Sequence, residues 1–185
     1  MRAAEERLRE ALDAFDFGAP AAEALRCGKG HIHDTFVVRT QPEGRDCRRF
    51  ILQRISSAAF KRPDQMMENI IGVTEYLGRQ IKQNGGDRER EVLRVLRPRG
   101  GGKPYFTDSD GEAWRVYPFV EDTICCQSAE TPGLFAACGR AFGRFQRFLS
   151  GYPAETLHET IPDFHNTENR LAKLRAAIAA DPRAG

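Results

Sequence analysis

No apolar run in this sequence approaches the ~20 residues that a membrane-spanning helix needs. Cysteine is sparse: the five residues at positions 27, 47, 125, 126 and 138 form no C-x-x-C pair, and their odd number does not suit a disulfide framework. Adjacent Cys125 and Cys126 read as two reduced thiols rather than a redox or metal pair. His158 and His165 stand far from these thiols in the chain, so zinc-finger spacing is missing too. Neither sign of charge dominates. With 28 basic against 26 acidic residues the net charge is +2, which argues against a general attraction to nucleic acid. Met1 to Glu10 is charged throughout and lacks the apolar core of a secretion signal, so a cytoplasmic location is expected. Two tempting ligand motifs fail as well. Gly100-Gly101-Gly102-Lys103 lacks the spacing and the Ser/Thr of a P-loop. Asp108-Ser109-Asp110-Gly111 lacks the remaining ligands of a calcium loop and reads as a hairpin turn. Arg94, Arg97, Arg99 and Lys103 flank the glycine run without interleaved aromatics, the pattern of a solvated surface.

What is present is an ordinary globular composition, 41% hydrophobic and 29% charged, in a chain of 185 residues. Leu8, Ala11, Leu12 and Phe15 share one helical face over residues 2–15, ended by Gly18-Ala19-Pro20. The pair Gly28 and Gly30 opens a β-rich run to Val38, and Arg49 to Ile55 is the next such run. This is the pattern of a hairpin whose tip lies against a ligand, because residues without Cβ let backbone N–H groups close on phosphate oxygens. Pro63-Asp64 then starts a helix with the stripe Met67, Ile70, Ile71, Thr74, Leu77 and Ile81, closed by Asn84-Gly85-Gly86. Residues 91–96, 103–107 and 113–120 read as three further strands, the last two joined by the Asp108 to Gly111 turn. The expected class is therefore α+β, with a five-stranded antiparallel sheet and one inserted helix in residues 1–120, followed by helices in residues 121–185.

Thr131-Pro132 caps a helix whose stripe, Leu134, Cys138, Ala141, Phe142, Phe145, Phe148 and Leu149, is wider than one partner helix covers. A second helix, capped at Thr167, carries Leu171, Leu174 and Ile178 and stops at Asp181-Pro182. On this reading the helical half is only begun, and the Phe142/Phe145/Phe148 face is an expected place for self-association.

Five segments come in order: Gly28 to Phe36 (GKGHIHDTF), Phe50 to Ile55 (FILQRI), Met67 to Thr74 (MENIIGVT), Trp114 to Glu121 (WRVYPFVE) and Ile161 to Thr167 (IPDFHNT). Together they resemble the aminoglycoside phosphotransferase-like superfamily of kinase-like proteins, and within it the N-acetylhexosamine 1-kinase group. The likeness runs from about residue 18 to the end. It implies a kinase-like small lobe over residues 1–120, then a hinge and the start of a helical large lobe over residues 121–185. It implies transfer of the ATP γ-phosphate to a sugar hydroxyl, the anomeric hydroxyl of an N-acetylhexosamine, with ATP and Mg²⁺ as cofactors. Other acceptors of the superfamily (an aminoglycoside, choline or a homoserine-like alcohol) and a non-catalytic binding module are the alternatives. No nucleic acid or membrane partner is implied.

By the same resemblance Gly28 and Gly30 cover the nucleotide, while His31 and Asp34 meet the sugar. Kinases place a cation on the second strand to hold phosphates, partnered by an acid on the following helix. Here Arg54 is the candidate, with Glu68 as partner and Glu75 as fallback. Alternation puts Leu52 and Arg54 on one face and Gln53 on the other, so Gln53 is the residue that faces the nucleotide in the alternative register. Phe119 and Glu121 line the hinge, Trp114 reads as packing, His33 as a solvent-exposed turn residue and His165 as structural. An H-x-D-x-x-x-x-N loop does not occur in the sequence, so the base and metal ligands are expected beyond Gly185 and the chain is expected to be an amino-terminal piece. The 185-residue chain mixed with ATP, Mg²⁺ and N-acetylglucosamine is accordingly expected to give no sugar phosphate in a coupled ADP-release assay. A robust rate contradicts that reading.

Overall fold

The computed structural model describes residues 4–28, 32–41, 47–124, 126 and 128–181. The described residues form an α+β structure built on one five-stranded antiparallel sheet with the order β1-β2-β3-β5-β4. Its strands are β1 (Ala21–Arg26), β2 (Asp34–Thr40), β3 (Arg49–Arg54), β4 (Phe106–Thr107) and β5 (Ala113–Pro118). The helices are α1 (Ala4–Ala14), α2 (Pro63–Gln83), the single-turn α3 (Arg88–Glu91), α4 (Pro132–Leu149) and α5 (Thr167–Ala180). None of the helices is long and apolar enough to cross a membrane.

The strand assignments need two corrections. Ala21 to Arg26 is a strand, although its Ala-Ala-Glu-Ala-Leu-Arg composition favours a helix. Pairing with β2, Leu25 opposite Val37 and Arg26 opposite Phe36, overrides that local preference. Gly28 consequently sits at the tip of the β1–β2 hairpin rather than at the start of a strand. Conversely, Glu91 to Leu96 is not a strand. Asp87 caps α3 by accepting from the Glu89 N–H at 2.9 Å, and the following residues meet the sheet through a single bridge, Leu96 to Val116.

Pleat parity then sorts the sheet into two faces. Val38, Phe50, Leu52, Trp114 and Val116 point to one side and pack with Ala11, Phe15 and Phe17 in the main core. Ala11 and Phe15 are completely buried, which explains the α1 stripe. Removing the Phe15 ring from water contributes about 2–3 kcal/mol. On the opposite side α2 covers only the β5 end of the sheet. Its first turns pack Met66 and Met67 on Ile55, Tyr105 and Ala113. Asp64 completes that helix start, its carboxyl held down at about 2 chiefly by the hydrogen bond from Arg62.

The far end of α2 belongs to the helical half. Leu77 and Ile81 pack with Phe148 of α4, and Tyr152 lies so close over Gly72 that a Cβ there would stand 2.4 Å from its Oη. The Gly85 turn closes α2, with Gly85 at φ +72° and the Gly86 N–H donating to the Ile81 carbonyl at 2.9 Å. Thr131 caps α4 by accepting from the Leu134 N–H at 3.2 Å. The cap of α5 is Asn166, one residue before the expected Thr167, accepting from the Asn169 N–H at 3.0 Å. Beyond Phe148 the apolar stripes stay uncovered: Phe135 and Phe142 are 71% exposed and Ile178 59%.

The Asp108 turn is structural, as its spacing suggests. The buried Asp108 carboxylate accepts from the Asp110 and Glu112 N–H groups at 3.0 and 2.9 Å and from the Trp114 indole N–H at 2.8 Å. Asp108→Ala leaves the buried indole donor without its acceptor and is expected to cost about 2 kcal/mol in urea denaturation. An unchanged midpoint contradicts this role.

Candidate functional site

The sheet face opposite α1 carries the candidate site. Register places Leu25, Val37, Ile51 and Tyr117 side by side across β1, β2, β3 and β5. Leu25 is 49% exposed and the other three are half-buried. Next to this apolar row, one step nearer the hairpin tip, runs the polar row Thr35, Gln53 and Arg115. Cys27 N–H donates to the Thr35 carbonyl at 2.8 Å and closes the hairpin just before Gly28. Gly28 has φ +81°, a conformation that suits glycine. Gly30 and His31 lie outside the described residues.

The polar row is a hydrogen-bonded relay. Gln53 donates from Nε2 to Thr35 Oγ1 at 3.0 Å. Its Oε1 accepts from both Nε and Nη2 of Arg115, at 3.1 and 2.8 Å. Among the described residues no carboxylate lies within 4.0 Å of Arg115, so this guanidinium is steadied by a neutral amide alone. Burial pulls its pKa below the usual arginine value, and the neighbouring Tyr117 opposes that. Arginine stays charged despite such a decrease. Burial in turn raises the Tyr117 phenol, against Arg115. A half-desolvated, uncompensated cation beside an open apolar strip is an arrangement that attracts anions.

Gln53 is therefore the β3 residue on this face, and Arg54 is not. Arg54 follows the pleat to the α1 side, where it pairs with Asp34 and, at 3.4 Å, with Glu112. The expected Arg54–Glu68 pair does not form, because α2 and Arg54 stand on opposite faces of the sheet. Glu68 instead meets His158 Nε2 at 2.7 Å. Asn69 beside it exchanges two bonds with the His158 backbone, at 2.8 and 2.9 Å. The fallback Glu75 is exposed.

Asp34 is likewise drawn away from a sugar-facing role. Its Oδ1 accepts from Arg26 at 2.5 Å and its Oδ2 from Arg54. The hydrogen bond from Arg54 is the first cause holding its carboxyl below the ordinary range. Just after β5, Glu121 pairs bidentately with Arg49, whose hydrogen bond holds its carboxyl low. The Arg49 guanidinium also lies 4.2 Å from the Phe119 ring centroid, and the Phe119 N–H donates to the Arg49 carbonyl at 3.0 Å. Phe119 and Glu121 thus close the end of the face, and the Glu121 carboxylate is already committed. Trp114 is core, as expected, while His165 is exposed at φ +60°. Cys126 is exposed, and its neighbour Cys125 lies outside the described residues.

Arg115 is the residue that sequence reasoning missed. Alternation alone could have found it, since Trp114 and Val116 on the core side force Arg115 and Tyr117 together onto the other. Among the described residues no three His, Cys, Asp or Glu side chains converge as a metal site. No protein-family model matches the chain.

His33, expected in solvent, is half-buried. Its ring stacks on Phe60 at 5.5 Å, and its Nδ1 accepts from the Ser56 N–H at 3.2 Å. Burial first, then the charge of Arg115, pull its pKa down, against a backbone hydrogen bond at Arg54. The unfolded chain binds this proton more readily. The contribution of His33 to stability is thus complete above the ordinary value of about 6.5 and is lost as pH falls through the lowered one. The His33 imidazole is expected to titrate by NMR below its unfolded value, and His33→Phe to flatten the decline of Tm on acidification. A normal or raised titration midpoint contradicts this.

Proposed function

We propose that this chain supplies the nucleotide-facing surface of an ATP-dependent phosphotransferase acting on a sugar hydroxyl, with the anomeric hydroxyl of an N-acetylhexosamine as the leading acceptor. One observation carries the reading: the partly exposed apolar row Leu25–Val37–Ile51–Tyr117 runs alongside the Thr35–Gln53–Arg115 relay, in the sheet whose first hairpin turns at Gly28. A flat base rests on the apolar row, bounded by Phe119. The phosphates reach Arg115, which Gln53 keeps oriented and Thr35 flanks with a hydroxyl. Arg115 thereby takes the part first assigned to Arg54, from the neighbouring strand. A planar guanidinium offers several donors to phosphate oxygens at once.

The architecture supports the same reading. A five-stranded antiparallel sheet, one long helix inserted before its last hairpin and a linker from β5 into helices match the plan expected of a kinase-like small lobe. ATP fits these residues, which bind and orient it. Bound Mg²⁺ neutralises phosphate charge, and its ligands are not proposed among the described residues. The choice of acceptor rests on the five ordered motifs.

An amide NMR titration of the 185-residue chain with Mg²⁺·ATP tests this. Saturable shifts are expected at Gly28, Thr35, Gln53 and Arg115, with Arg115→Gln weakening binding about tenfold, the worth of one charge-assisted hydrogen bond. No shifts at millimolar nucleotide, or shifts confined to the helices, overturn the reading.

A further inference from the structure

Helix α2 is anchored at both ends and leaves a gap in its middle. Its Met66–Met67 end packs on Ile55 and Tyr105, and its Leu77–Ile81 end on Phe148. Between these clusters lies a cavity of about 340 Å³, bounded by α2, residues 92–96 and β5. Ile70 and Val73, Leu93 and Val95, and Tyr117 give it apolar walls, and Arg115 is the one charged lining residue among the described residues. Aliphatic side chains that face a gap forfeit dispersion contacts, which an apolar group of matching size restores.

The polar lining decides the other end of such a ligand. Asn69 is committed to the His158 backbone, and the Thr74 hydroxyl donates to the Ile70 carbonyl at 2.7 Å. Arg115 alone carries charge that no described carboxylate within 4.0 Å balances. The complementary ligand is therefore apolar in its body and singly negative at one end.

We propose that this cavity binds a small amphipathic carboxylate, its aryl or alkyl body between α2 and Val95 and its carboxylate on Arg115. The site borrows Arg115 from the nucleotide reading, so carboxylate and triphosphate exclude one another and the ligand acts as a competitor of ATP. That competition rests on the proposed function; occupancy of the cavity does not.

Methyl and amide NMR titrations of the 185-residue chain with phenylbutyrate and with its neutral amide, phenylbutanamide, test the site. Phenylbutyrate is expected to move the methyl signals of Ile70, Val73, Leu93 and Val95 saturably and to bind about tenfold more tightly than the amide, the ratio set by one charge-assisted hydrogen bond. Arg115→Gln is expected to erase that preference, Arg115→Lys to keep most of it, and Val73→Phe to block both compounds by filling the gap. Equal affinity for acid and amide, or shifts gathered at Phe135, Phe142 and Phe145, overturn the proposal. If phenylbutyrate binds as described and Mg²⁺·ATP does not, the cavity stands and the nucleotide reading falls. If Mg²⁺·ATP moves Gln53 and Arg115 and phenylbutyrate moves nothing, the cavity proposal falls by itself.

Discussion

Everything on the candidate face depends on the register between β3 and β5. Leu52 opposite Val116 belongs to the core under α1, and Gln53 opposite Arg115, one residue along each strand, belongs to the other side. A slip of one residue would exchange the two sets. With β5 moved against β3, Trp114 and Val116 would leave the core, and the guanidinium would be forced into the apolar layer under α1. The burial of the core side and the electrostatics of the open side are therefore set by one pairing.

Much of this organisation was legible in the residues. Periodicity marked α1, α2 and α4, and Asn84-Gly85-Gly86 and Thr131-Pro132 marked their ends, because those signals are local. The two misread segments show where locality fails. Ala21 to Arg26 is a strand through its partner, and nothing in its own composition says so. Glu91 to Leu96 is rich in valine and leucine like a strand, but an N-terminal cap at Asp87 and a single bridge to Val116 hold it outside the sheet. The site divides in the same way. Alternation separated Gln53 from Leu52 and Arg54, and Gly28 was marked as a glycine of the hairpin. The Arg54–Glu68 pairing failed because strand pleat and helix position had to be known together. Arg115 was hidden because an arginine between tryptophan and valine reads as an ordinary solvent-facing strand residue.

Helix α2 joins the two halves of the molecule by different chemistry at each end. Methionines bind its first turns to the sheet and Phe148 its last turns to α4, while Tyr152 and His158 reach it in between, at Gly72 and at Glu68 and Asn69. In this arrangement Glu68 has a histidine from the helical half as its partner. The position of α2 thus follows that half as much as it follows the strands.

The two borders of the sheet have a further consequence. At one border β1 is six residues long, carries Glu23 and Arg26, and pairs Glu23 with Arg39 at 3.5 Å. At the other, β4 has only two residues. Charge on one rim and brevity on the other make poor templates for an incoming strand from a second molecule. Fibril-like growth through backbone ladders is thereby discouraged, even though several phenylalanines on α4 remain in contact with water.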